Sequence, residues 1–219
     1  MARTGFHLAG DLIWVHGQRD GTSAQHRPRG HVSGPYTSLP AAIFMLAYAA
    51  GDSLVTHASG HMGIRGGTDG NTPLGLGGRG LVSAWAAAGV PLLARARVTP
   101  RGTTGIHPWR LLADADLDSY LGDARSLRNR LAHAGTTDGA GLRSPFFRKN
   151  GKPALPQMTL MLAEGLLQAA QDVAYLALNA AGPAASPASG SWEWVLPRQS
   201  GTGAMSMRLW RHAAFPLDV

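Results

Sequence analysis

The segment MTLMLAEGLLQAAQDVAYLALNAA, residues 158–181, decides the fold class because it is the longest apolar stretch of the chain. Its polar residues recur at steps of three and four, the periodicity of one stripe along an α-helix. These residues are Glu164, Gln168, Gln171, Asp172, Tyr175 and Asn179. The pattern predicts the longest helix of the protein, and its charged and amide side chains make it a poor membrane span.

Two helices are predicted between residues 39 and 98 from the spacing of apolar residues. The first covers Leu39 to His57, after a serine cap and with a proline in its first turn. The second consists of Leu81 to Ala88 and Leu92 to Val98, which are divided by Gly89-Val90-Pro91 because proline removes a backbone donor. We therefore expect a kinked second helix.

A third helix is predicted between Asp114 and Gly135. Asp114 or Asp116 can cap its start, and Gly135 supplies the stop. Apolar residues define its core side: Leu117, Tyr120, Ala124, Leu127, Leu131 and Ala134. Arginine and histidine residues occupy the last two turns of this helix.

Short strands are expected at both ends of the chain. Leu12 to Val15 reads as a strand, and Trp192 to Leu196 with Met205 to Trp210 reads as a hairpin. Ser59 to Gly80 reads as a loop. The predicted fold is mainly α, a four- to five-helix bundle with peripheral short strands. We expect residues 1–182 to form one helical domain with an N-terminal extension, and residues 183–219 to form a linker and a hairpin packed on it.

The composition limits the classes of function. The 219 residues include 20 Lys and Arg against 13 Asp and Glu, a formal charge of +7 that favours phosphate-bearing partners such as RNA. The chain has no cysteine, which excludes disulfides, thiol nucleophiles and cysteine-ligated metals. The N-terminus lacks the long apolar core of a signal peptide, so we expect a soluble cytoplasmic protein that does not enter a membrane.

The segment RNRLAH, residues 128–133, contains the candidate functional residues. An arginine followed five residues later by a histidine is expected about 0.7 times by chance in this composition, and about 0.014 times when asparagine follows the arginine. Asn129 and His133 are four residues apart and share the side of the helix opposite its core. Arg128 projects from the flank and can reach the same surface. The three groups can therefore converge where this surface meets another, as in a dimer.

These residue types suit cleavage of a phosphodiester. A histidine can take the proton of a ribose 2′-hydroxyl or protonate the leaving 5′-oxygen, because its ordinary pKa of about 6.5 permits both near neutral pH. An arginine can hold the phosphate through two hydrogen bonds and stabilise the charge of the transition state. Asn129 can orient the histidine. The structural alternative is a solvated basic helix end, where the helix dipole favours His133.

Arg128-Asn129-x-x-x-His133, near the end of a helix in an all-helical domain, resembles the HEPN superfamily of ribonucleases. The likeness covers about Leu39 to Ala181 in architecture. It implies a metal-independent endoribonuclease that leaves 2′,3′-cyclic phosphate ends, with RNA as substrate. Two copies of an Arg-x4-6-His motif meet in a homodimer to form one composite site. By this likeness Arg128 and His133 are catalytic, Asn129 supports them, and no cofactor or metal is required.

The resemblance leaves the biological role open. Members controlled by nucleotidyltransferase antitoxins often carry a tyrosine two residues after the histidine, and Gly135 occupies that position here. A role as a toxin or phage-defence effector, with an antitoxin or regulatory protein as partner, is implied by the family alone. Other members bind nucleotides or proteins without cleaving RNA. The alternative function is therefore a non-catalytic helical module that binds nucleotide, RNA or a partner protein.

Three other motifs are weaker. Gly51-Asp52-Ser53-Leu54 matches the GDSL esterase motif, but it lies in a predicted helix and no Asp-x-x-His follows near the C-terminus. Residues 75–80, GLGGRG, fit a nucleotide-binding spacing but follow a turn, so a flexible loop is predicted. His57 and His61 could chelate a metal if their helix continued, but Ser59-Gly60 is predicted to end it and no third ligand is evident.

Overall fold

The computed structural model describes residues 5–13, 39–67, 70–98, 109–134, 137, 141–142, 145–149, 152–153, 158–183, 185, 192 and 194. These residues form a mainly helical protein with small antiparallel strand pairs. The helices are α1 over 5–13, α2 (Leu39–His61), α3 (Leu81–Ala87), α4 (Asp114–Ala134) and α5 (Leu160–Ala181), with a 3-10 turn at Pro145–Phe147. The strand pairs are β1 (Arg65–Gly66) with β2 (Thr72–Pro73), β3 (Leu93–Arg97) with β4 (Trp109–Ala113), and β5 (Arg148–Lys149) with β6 (Lys152–Pro153).

Helix α5 lies at the centre of the core, and every residue from Met158 to Ala174 is buried. Its start is capped by Thr159, whose Oγ1 accepts a hydrogen bond from the Leu162 backbone N–H at 3.3 Å. Helix α2 packs against it so closely that a Cβ on Gly51 would lie 2.8 Å from the Cβ of Ala170. The helix predicted over residues 158–181 is confirmed as α5. It has 22 residues and is not the longest helix, because α2 has 23.

The polar stripe of α5 is buried for much of its length, because β3 lies across it. Four of its side chains are at most 1% exposed: Glu164, Gln168, Gln171 and Asp172. Asp172 accepts hydrogen bonds from the backbone N–H of Arg95 at 2.7 Å and from its Nε at 2.9 Å. Gln168 Nε2 donates to the same carboxylate at 2.8 Å. Arg97 Nε lies 3.7 Å from Glu164 Oε2. Charge compensation between strand and helix thus keeps these groups in the core.

The prediction of a helix over Leu92 to Val98 is wrong, since this segment contains β3. β3 pairs antiparallel with β4 in a register that runs from Leu93 opposite Ala113 to Arg97 opposite Trp109. The arginines of β3 form ion pairs with carboxylates of α5, which are far away in the sequence. The second helix therefore ends at Ala87 and has no kinked continuation. The partners that stabilise β3 are all distant in sequence, so its local pattern did not reveal them.

The prediction of α4 is confirmed, and α4 follows β4 without a connecting residue. Asp114 at this junction has a φ of 47°, a conformation that aspartate tolerates better than most residues. Asp114 and Asp116 lie in the first turn and His133 in the last, which complements the helix dipole at both ends. The predicted core side is buried except for Ala134, which is exposed.

The predicted N-terminal strand is wrong where it is described, because Leu12 and Ile13 lie in α1. Phe6, Ala9 and Ile13 are buried at helical spacing. Residues 14–15 and the second strand of the predicted C-terminal hairpin lie outside the described residues. Of the first strand of that hairpin, Trp192 and Trp194 are described, and both rings contact Tyr175 of α5.

Among the described residues, α2 is the helix whose length and apolar composition would allow it to cross a membrane. Half of the apolar stretch of this helix is buried inside the protein. Its fully buried side chains include Ile43, Phe44 and Val55, which belong to the same core as α5. The apolar character of α2 is therefore used in packing against α5.

Candidate functional site

The residues predicted to carry chemistry lie on the last two turns of α4. Leu127 and Leu131 are buried and fix the rotation of the helix. Asn129 and His133 are consequently exposed. They are four residues apart, so they lie one above the other on the same side. This is the arrangement that the sequence predicts for Asn129 and His133.

Arg128 occupies a different environment, at the contact between α4 and α2. It is partly buried, and its Cζ lies 4.8 Å from the centroid of the Tyr48 ring. A guanidinium over an aromatic face is stabilised by the ring quadrupole. Arg128 Nε is buried and has no hydrogen-bond partner among the described residues. The planar face of Arg128 thus lies against Tyr48, while its Nε lacks a hydrogen-bond partner among the described residues.

The structure does not bring Arg128 and His133 to one point within a single chain. Residues five apart on an α-helix differ in direction by about 140°. Arg128 points toward Tyr48 of α2, whereas His133 is exposed on the outer side of α4. A site that uses both groups on one substrate therefore requires movement of the Arg128 side chain or a second copy of the chain.

Asp52 and Tyr48 form the α2 side of this contact, and sequence reasoning did not place either beside Arg128. Burial raises the pKa of Asp52, and the positive charges of Arg128 and Arg125, together with the backbone N–H of Leu76, oppose this rise. Burial, followed by the charge of Asp52, raises the pKa of Tyr48 to about 12. The Tyr48 hydroxyl donates a hydrogen bond to the Leu76 carbonyl. The two α2 side chains thus connect Arg128 to the glycine-rich loop.

The glycine-rich segment 75–80 is a loop, as the sequence predicts, and it packs closely against α2 and α4. A Cβ on Gly75 would lie 2.3 Å from Asp52 Oδ1, and one on Gly77 would lie 2.5 Å from the Leu121 carbonyl oxygen. Gly77 also has a φ of 74°, which favours glycine. The loop is therefore wedged between α2 and α4. The strand before it, β2, belongs to a short antiparallel hairpin and not to a βαβ nucleotide-binding unit.

Arg125 extends the exposed surface and was missed by sequence reasoning. Arg125, Asn129 and His133 are all exposed and follow one another at steps of four residues. We call these three residues the α4 stripe. The four-residue step from Asn129 back to Arg125 was visible in the sequence and could have identified it. The stripe offers a cation, an amide and an imidazole along about two turns of helix, a surface suited to successive groups of a polyanion.

The GDSL motif has a packing role in this fold. Gly51 allows α2 to approach Ala170 of α5 closely. Leu54 is 6% exposed and belongs to the core. Ser53 is exposed in the middle of a continuous helix, whereas an esterase serine of this class sits on a strand-to-turn transition. The geometry of α2 therefore gives no support to a serine hydrolase.

The chain was compared with family models, with curated proteins and with solved structures, and none of the three comparisons gave a match. The observations from which a function can be proposed are therefore those of its own residues. They are the exposed α4 stripe, the partly buried Arg128 beside Tyr48, and the formal charge of +7.

Proposed function

We propose that this protein is a metal-independent endoribonuclease with a HEPN-like helical bundle, in which Arg128 and His133 are catalytic and Asn129 supports them. The observation that carries the proposal is the position of the whole motif on the last turns of one helix, with Asn129 and His133 exposed together. A solvent-accessible imidazole beside an amide can approach a ribose and its phosphate. The basic character of the chain favours that substrate.

The proposed reaction is an intramolecular transesterification. A base takes the proton of the ribose 2′-hydroxyl, the oxygen attacks phosphorus, and the bond from phosphorus to the 5′-oxygen breaks. The products are a 2′,3′-cyclic phosphate end and a 5′-hydroxyl end. His133 serves as base or as the acid that protonates the leaving oxygen, and Arg128 stabilises the charge that develops on the phosphoryl oxygens.

A homodimer is part of this proposal, because the α4 stripe of one chain contains one imidazole, and Arg128 is directed away from it. In a dimer with two-fold symmetry the same helix end of each chain meets its copy. Two His133 side chains then supply a base and an acid to one phosphate, and two Arg128 side chains supply positive charge. The role of such an enzyme as a toxin or phage-defence effector rests on the resemblance to the family.

The test is cleavage of total RNA in the presence of EDTA by the wild type, Arg128→Ala and His133→Ala. Arg110→Ala, which removes an exposed arginine from β4, is the matched control. We expect the wild type and the control to leave 2′,3′-cyclic phosphate ends, and both site variants to lose activity by at least about 10²-fold. Equal activity of all four proteins, or equal inactivity, would count against the proposal.

The second candidate is a non-catalytic module that binds RNA, nucleotide or a protein through the same surface. It is favoured by the contact of Arg128 with Tyr48, which gives this arginine a structural role without catalysis. If the wild type binds a labelled RNA oligonucleotide without cleaving it, and loss of Arg125 weakens that binding, this second function replaces the first.

A further inference from the structure

The side chains of His57 and His61 form a pair on the last turns of α2. The sequence predicts an end of the helix at Ser59-Gly60, but α2 continues through His61. Ser59 is tolerated there because it is fully buried and its Oγ accepts a hydrogen bond from Trp85 Nε1 at 3.2 Å. The continuous helix places His57 and His61 one turn apart on the same side, and both are exposed. The condition under which the two histidines could chelate a metal is therefore met.

The ring geometry fits binding of one metal ion by both side chains. The ring centroids are 4.6 Å apart, and the ring planes are inclined at 69°. A metal lies about 2.1 Å from an imidazole nitrogen, which puts it about 3.2 Å from the ring centroid. When one nitrogen of each ring is turned toward the same ion, two centroids 4.6 Å apart subtend an angle of roughly 90° at the metal. This is the angle between neighbouring ligands in octahedral and square-planar complexes.

We infer that His57 and His61 form a bidentate surface site for a divalent transition-metal ion that prefers imidazole, with Ni²⁺ and Cu²⁺ as the best geometric match. Imidazole ligands do not suit Mg²⁺ or Ca²⁺, which take oxygen. Within the part of the chain that the structure describes, no group of three His, Cys, Asp or Glu side chains is placed to hold a metal. Among the described residues none fills the other coordination positions, which water can occupy.

The site is independent of the proposed nuclease function, since that reaction needs no metal. The pair lies at the end of α2, whereas Arg128 and His133 belong to α4. The two proposals can therefore fail separately. If the protein binds Ni²⁺ through this pair and does not cleave RNA, the metal site is supported and only the proposed nuclease function is refuted.

The test is isothermal titration of the untagged full-length chain with Ni²⁺ at pH 7.5, with excess Mg²⁺ in the buffer. His57→Ala and His61→Ala remove one ligand each, and His7→Ala removes a histidine of α1, which belongs neither to this pair nor to the proposed nuclease site, as the control. We expect His57→Ala and His61→Ala each to bind Ni²⁺ at this site at least about tenfold more weakly than the wild type. The control should bind Ni²⁺ with the affinity of the wild type. If both pair variants titrate like the wild type, the inference is overturned.

Two further measurements separate metal binding from folding. Alanine is the strongest helix former, so circular dichroism should show the same helix content in both pair variants. RNA cleavage in EDTA by His57→Ala should equal that of the wild type.

Discussion

The guanidinium of Arg128 lies over the ring of Tyr48, with its Cζ 4.8 Å from the ring centroid, although the two residues belong to different helices. This contact fixes the direction of the arginine that the proposed nuclease uses. It also links the rotation of α4 to that of α2. The chemistry of Arg128 should therefore depend on the aromatic ring beneath it, and this dependence can be separated from the hydroxyl of Tyr48.

Substitution of Tyr48 should separate the two roles of this side chain. Tyr48→Phe keeps the ring and removes the hydroxyl, which hydrogen-bonds the Leu76 carbonyl and the Arg128 side chain, so it should cost about 1 kcal/mol of unfolding free energy and reduce RNA cleavage less than loss of the ring does. Tyr48→Leu removes the aromatic face, so cleavage should fall at least about tenfold because Arg128 loses its support. Urea unfolding and cleavage assays at low temperature measure the two effects. A folded Tyr48→Leu protein with full activity would contradict a positioning role for the ring.

Asp52 should make stability depend on pH. Burial raises its pKa above the ordinary 3.8, so the folded state binds this proton more tightly than the unfolded state does. Its contribution is fully present below the unfolded pKa and is lost as the pH rises through the folded pKa. Asp52→Asn removes the titration. The unfolding free energy of the wild type minus that of Asp52→Asn should therefore be larger at pH 4.5 than at pH 7.5. A difference independent of pH would refute this assignment.

Two glycines in helices should respond in opposite ways to the same substitution. A Cβ on Gly165 would lie 2.6 Å from the backbone nitrogen of Arg97, and the strand cannot move without breaking its contact with α5. Gly165→Ala should therefore destabilise the protein by about 2 kcal/mol or more. Gly122 has nothing within 4 Å of its Cβ position, so Gly122→Ala should stabilise it by about 0.5–1 kcal/mol. Thermal unfolding of the two variants measures both changes in stability. Changes of the same sign would show that β3 does not pack on α5 as described.

The buried pair of Arg95 and Asp172 should show strong coupling. Arg95→Met leaves a buried carboxylate without its cation and should cost about 3–5 kcal/mol. Asp172→Asn keeps an acceptor for the Arg95 backbone N–H but leaves the guanidinium without its counter-charge. The double variant removes both charges, so it should lose less stability than the sum of the single variants. Urea unfolding of the four proteins gives the coupling, and additive effects would contradict direct pairing.

Arg125 should contribute to RNA binding through its position on the α4 stripe. Arg125→Ala should weaken binding of a single-stranded oligonucleotide and lower the slope of log K against log salt concentration by about 0.7. Arg110→Ala removes the same charge from β4 and should change neither. Fluorescence anisotropy at several salt concentrations provides the measurement. Equal losses in the two variants would mean that overall charge, and not the stripe, attracts RNA.

The sequence alone determined the helices α2, α4 and α5, because each has apolar residues at helical spacing, which is a local property of the chain. It also determined that Asn129 and His133 would share an exposed side of α4, since a four-residue step is a local property of any helix. The strand β3, the buried network on α5 and the contact of Arg128 with Tyr48 were decided only by tertiary structure. Each joins residues far apart in sequence, such as Arg95 and Asp172 at a separation of 77. Local periodicity carries no information about which distant charge will neutralise a buried arginine or which ring will lie beneath it.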